Sequence, residues 1–165
     1  MFKKLLFNTD SAPKKDKDSW KRIIVFSGIF LSFFHNFIIL LLPNNQGANV
    51  YAESTSEIIN LFINGVIVAP FVETIIFYSI LQNIFSIIIK NKLVLSLLIS
   101  ILFFCFHISQ GMGGWGYFIF ILGLLMSWLF ILQENKKTLS VFLFHSCFNL
   151  VAMLAGILRV IVFGY

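Results

Sequence analysis

An all-α, polytopic integral membrane helix bundle is the fold class this sequence predicts, with about five transmembrane helices and a four-helix core. Three observations carry that expectation. Of 165 residues, 59% are hydrophobic and only 12% charged, against about 25% charge in soluble domains. Five apolar runs reach the ~17–25 residues that a spanning helix needs. Positive charge also alternates from one connection to the next. This composition argues against a soluble globular domain, and so high a hydrophobicity excludes disorder.

Residues 1–22 form a basic N-terminal segment holding Lys3, Lys4, Lys14, Lys15, Lys17, Lys21 and Arg22. The first run, residues 23–42, is closed by Pro43. At 20 residues it exceeds the ~7–15 apolar residues of a leader peptide. It is therefore expected to be a retained span, although Val50-Tyr51-Ala52 has the look of a cleavage site. Residues 58–163 make up the four-helix membrane core. Its first run, 58–89, is too long for one straight span at ~1.5 Å per residue. It contains Pro70, which removes a backbone donor and predicts a kink. A break at membrane depth requires another group to meet the freed carbonyl. Runs at 93–109, 115–132 and 139–163 follow, with a glycine-rich turn between 110 and 116. No alternating pattern with turn signals recurs, so a β-barrel is not expected.

The connections carry an independent signal. The head is basic, 43–57 has Glu53 and Glu57 but no Lys or Arg, Lys90 and Lys92 follow, 110–114 is uncharged, and Lys136 and Lys137 close the series. Such alternation places the N-terminus in the cytoplasm and the C-terminus outside. A basic cluster leading into an apolar run reads as membrane orientation, and nucleic acid is not an expected partner. The lipid bilayer is.

Within the runs the only Asp, Glu, Lys or Arg residues are Glu73 and Arg159. Arg159, near a run end, can snorkel to the interface. Glu73, near the middle of its run, has no such escape, and a central acidic residue costs about 2.5–3.5 kcal/mol on insertion scales. All three histidines, His35, His107 and His145, are intramembrane as well. Phe103 and His107 are four apart and share one helical face, as do His145 and Asn149. Converged, Glu73, His107, His145 and Asn149 allow hydrolysis. A carboxylate takes a proton from water, a neutral imidazole orients that water, and His and Asn donate to an oxyanion. The same Glu73, His107 and His145 suit a divalent metal such as zinc, so a cofactor of none or one metal stays open. A polar network gluing helices together and an ion pathway also stay open. Cys147 points ~160–200° away from His145 and Asn149 at ~100° per residue, which disfavours it as a nucleophile.

These residues carry a resemblance. Ala69-Pro70-Phe71-Val72-Glu73-Thr74-Ile75-Ile76-Phe77-Tyr78, then Phe103 with His107, then His145 with Asn149, resemble the three motifs of the CAAX protease and bacteriocin-processing family, also called the abortive-infection family. The order and spacing match across about residues 58–160. The resemblance implies an intramembrane endopeptidase with a four-helix catalytic core, acting on a membrane-associated peptide or protein. It implies Glu73 as the water-activating residue, His107 as its assistant, and His145 with Asn149 at the oxyanion. Phe77, Phe103, Thr74 and Tyr78 would support the site. Small size and Ile/Phe/Lys/Asn bias look bacterial, so the expected setting is a bacterial cell membrane and bacteriocin maturation or self-immunity. Prenylated substrates are not expected.

The chain departs from the first motif, Glu-Glu-x3-Arg, at two places. Thr74 stands for the second Glu and Tyr78 for the Arg. Losing an ion pair together leaves no orphan charge, and Thr74 and Tyr78 have the spacing to hydrogen-bond to each other. The alternatives are a catalytically inactive membrane immunity or binding protein, and a small transporter component.

Overall fold

A computed structural model describes residues 23, 26–34, 55–111, 116–133 and 136–163. The basic head, Pro43, His35 and the centre of the glycine-rich turn lie outside them. The described residues are helical with no strand, an all-α membrane bundle. We number the helices α1 (residues 26–34), α2 (Ser56–Ile88), α3 (Lys92–Ser109), α4 (Gly116–Leu132) and α5 (Lys137–Phe163). α2, α3 and residues Lys137–Leu158 of α5 are each long and apolar enough to cross a membrane. α4, also apolar, has 17 residues, the short end of the spanning range.

The over-long second run does not break at Pro70. It stays one helix by changing its winding. Two π-helical stretches, Phe62–Val68 and Thr74–Leu81, flank an α-helical stretch, Ala69–Glu73. A π stretch pairs each N–H with the carbonyl five residues back. The winding changes register just before Pro70, where the sequence predicts a kink.

α2 and α3 form a tight hairpin. Ile89 leaves the helix in an extended conformation. Asn91 then caps α3, its Oδ1 accepting from Leu93 N at 2.9 Å and Val94 N at 3.2 Å, which serves two of the orphan amides at that end. At the other end of α3, Gly111 takes φ +86°, a conformation that favours glycine.

α3 and α4 pack closely because their facing residues are small. A Cβ added at Gly123 would lie 3.1 Å from the Phe103 ring and 3.3 Å from Ser100 Cα. Ser96, Ser100 and Ser127 are fully buried beside it. Small residues let membrane helices approach where lipid offers no hydrophobic drive. Polar bonds tie α2 across the bundle. Gln82 Nε2 donates to Ser127 O, and Ser127 Oγ donates to Gln82 Oε1, both at 3.1 Å. α1 rests on α5, with Ser32 Oγ donating to Phe148 O at 2.8 Å.

Counting along the runs from their connections puts Glu73 and His107 deeper than His145, so a shared site needs α5 to start deeper or the α2–α3 hairpin to protrude. The Ser79–Thr138 hydroxyl pair, 2.6 Å apart, resolves this. Thr138 is the second residue of α5, yet Ser79 lies nine residues before α2 ends at Ile88. The hairpin therefore extends about 13 Å past the start of α5 at ~1.5 Å per residue.

Candidate active site

Glu73, His107 and His145 come from three helices and meet. His107 Nε2 lies 3.6 Å from Glu73 Oε2, and His145 Nε2 lies 3.7 Å from the same oxygen. The Glu73, His107 and His145 side chains are 13%, 10% and 3% exposed, so the cluster is largely buried.

Each position follows from its helix. Phe103 and His107 share a face of α3, and the four-residue spacing lets His107 Nδ1–H donate to the Phe103 carbonyl at 2.9 Å. A carbonyl cannot donate, so Nδ1 must carry the proton. In the neutral ring, Nε2 then presents its lone pair to Glu73. Phe103 is fully buried. Its ring centroid is 4.3 Å from that of His107 and 5.9 Å from that of His145, so one ring sets the tilt of both imidazoles. Phe77 stands edge-on to Phe103 at 5.3 Å and walls the cluster on the α2 side.

His145 Nδ1 and Glu73 Oε2 have no hydrogen-bond partner among the protein groups. Both are buried, and buried polar atoms ordinarily find one. Contacts of 3.6 and 3.7 Å exceed hydrogen-bond length, so neither imidazole satisfies that oxygen.

The geometry does not make a ready zinc set. Bonds of ~2.0–2.2 Å to a tetrahedral zinc put ligand atoms roughly 3.3–3.5 Å apart, a little closer than Glu73 stands to either ring. Among the described residues no group of three His, Cys, Asp or Glu side chains is arranged to hold a metal ion.

Asn149 lies one turn along α5 from His145, and its Nδ2 donates to Gly65 O at 2.8 Å. This backbone partner on α2 is one the sequence reading missed. Thr74 and Tyr78 do not pair with each other. Thr74 Oγ1 is buried without a hydrogen-bond partner, and Tyr78 OH donates to Gly123 O at 3.4 Å. The Tyr78 hydroxyl is carried away from Thr74 to a backbone carbonyl of α4. Cys147 faces α1, where a Cβ added at Gly28 would lie 3.3 Å from its own Cβ, consistent with its exclusion as a nucleophile.

No curated protein and no solved structure shows significant similarity to the chain. A family model described as Type II CAAX prenyl endopeptidase Rce1-like matches residues 55–151. That interval begins at the N-terminal end of α2, spans Glu73, His107, His145 and Asn149, and takes up more than half of the chain. This membrane bundle, with a carboxylate and two imidazoles gathered inside it, belongs to the Type II CAAX prenyl endopeptidase Rce1-like family.

Proposed function

We propose that the protein is an intramembrane endopeptidase that hydrolyses a membrane-associated peptide or protein. The observation that supports this best is the convergence of two imidazole nitrogens, from two helices, on one carboxylate oxygen at 3.6 and 3.7 Å. Water held between Glu73 Oε2 and His107 Nε2 meets two acceptors, so both of its hydrogens are engaged and its oxygen lone pair is free to attack. As that oxygen adds to the scissile carbonyl carbon, Glu73 takes the proton. His145, with Nδ1 unpartnered, donates through Nε2–H to the developing oxyanion. Glu73 then passes the proton to the leaving amide nitrogen as the C–N bond breaks. The products are one new carboxyl terminus and one new amine. The surrounding apolar helices favour an extended or unwound segment at the membrane as substrate. A bacterial cell membrane, a cytoplasmic N-terminus, and a role in bacteriocin maturation or self-immunity complete the proposal.

Thr74 and Tyr78 in place of the first motif's charges favour a second reading, a membrane binding protein with immunity function and no catalysis. One experiment separates the two. Membranes of cells expressing the wild type and Glu73→Gln are compared by sequencing of new protein termini. The proposal expects termini that appear only with wild type. Identical termini from both, with biological function retained by Glu73→Gln, would establish the binding reading.

A further inference from the structure

Asn149 has a structural task that follows from backbone register. In the π stretch before Pro70, the Ala69 amide donates to Asn64 O, five residues back. The next bond in that register would run from residue 70 to Gly65 O. Residue 70 is proline and has no N–H. Gly65 O is therefore the carbonyl that the proline leaves open, at a depth where water is scarce and an unmet backbone group is costly. Asn149 Nδ2 donates to that carbonyl at 2.8 Å. The winding also matters to chemistry. Each π-wound residue advances the helix by a smaller angle than an α-helical one, so the direction in which Glu73 leaves α2 depends on the register upstream of it.

We infer that Asn149 is a surrogate donor for Pro70. It closes the hydrogen bond to Gly65 O, holds the π-wound part of α2 in register, and so is a positioning residue for Glu73. The activity arm of the test rests on the hydrolytic reading of Glu73; the stability arm does not.

The experiment is a four-member set of full-length proteins in detergent: wild type, Asn149→Ala, Pro70→Ala, and the double variant. Thermal unfolding is followed for all four, together with the rate of formation of the Glu73-dependent termini. Asn149→Ala is expected to lower Tm by about 3–6 °C and to reduce kcat at least tenfold with KM little changed. Pro70→Ala supplies an amide at residue 70. In that background the Asn149→Ala shift should fall to less than half, and the double variant should regain at least tenfold in kcat over Asn149→Ala. An equal Tm loss in both backgrounds would overturn the link to Pro70. A double variant that recovers Tm but stays as inactive as Asn149→Ala would overturn the positioning role, because the restored register would then have done nothing for Glu73. Should Pro70→Ala not fold, Asn149→Leu decides the question. It keeps the shape and lacks the donor, so wild-type Tm for it would refute the inference, and a loss matching Asn149→Ala would sustain it. If no Glu73-dependent termini exist, the hydrolytic proposal falls and the Tm comparison alone decides this one.

Discussion

Helices α3 and α4 meet through Gly123, Ser100, Ser96 and Ser127, a seam of small side chains between two regularly wound helices. α2 and α5 meet through polar side chains, Ser79 with Thr138, Glu73 with His145, and Asn149 with Gly65 O, across a helix twice wound into π geometry. The first seam gains from close van der Waals contact and has little room to change shape. The second leaves Glu73 Oε2 and His145 Nδ1 without a hydrogen-bond partner, the kind of unpaired group that the proposed hydrolysis would use. Phe103 belongs to both seams. It closes against Gly123 on one side and holds the two imidazoles on the other.

The largest expected effect is on chemistry alone. Glu73→Gln keeps the shape and removes the base. Peptide hydrolysis should fall by about 10²–10⁴-fold, the range of general-base catalysis, while Tm in detergent stays within a degree or two. A Tm collapse would show that Glu73 is part of the scaffold, and the contrast between the seams would fail.

The next effect couples the seams. Gly123→Ala places a methyl 3.1 Å from the Phe103 ring and 3.3 Å from a backbone carbon. Overpacking of this kind costs about 1–3 kcal/mol. Because the ring under pressure also sets both imidazoles, Tm and hydrolysis should fall together. Loss of Tm with full hydrolysis would show that Phe103 does not transmit strain to the site.

What was legible in the sequence tracks the same contrast. Glu73, His107 and His145 stood out because ionisable groups are rare at membrane depth and because four-residue spacing fixes a shared face on a regular helix such as α3. The partner of Asn149 was not legible, since Gly65 becomes the open carbonyl only in a five-residue register. The α-helical count from Pro70 points to Val66 instead. The Thr74–Tyr78 bond failed for another reason, the Tyr78 hydroxyl reaching across to Gly123 O on α4, a tertiary partner that spacing does not show. The need for α5 to start deeper, or for the α2–α3 hairpin to protrude, followed from counting residues. The Ser79–Thr138 contact that meets it is a tertiary fact that no periodicity encodes.

A smaller effect tests the polar tie from α2 to α4. Ser127→Ala removes the donor to Gln82 Oε1, and Gln82 is 1% exposed. Interhelical hydrogen bonds in membranes average about 0.6 kcal/mol and reach about 1.7. A Tm loss of roughly 1–4 °C is expected. A loss several times larger would make this bond, and not the small-residue seam, the main support of α4.

The smallest effect has the opposite sign. Thr74 is fully buried, and its hydroxyl has no hydrogen-bond partner, so it carries a desolvation cost without a compensating bond. Thr74→Val keeps the branched shape and deletes that hydroxyl. Replacing a buried polar group that makes no bond by an apolar isostere is neutral or stabilising, here by up to about 1 kcal/mol, or a Tm rise of no more than roughly 4 °C. The substitution also bears on the departure from the first motif. If Thr74 had taken over the structural task of the acidic residue it replaces, its hydroxyl would be holding something, and Thr74→Val would destabilise the bundle by the 1–3 kcal/mol of an orphaned partner. A measured gain or no change would mean that the task itself has gone, leaving Tyr78 with its bond to Gly123 O as the separate device that fastens this part of α2 to α4.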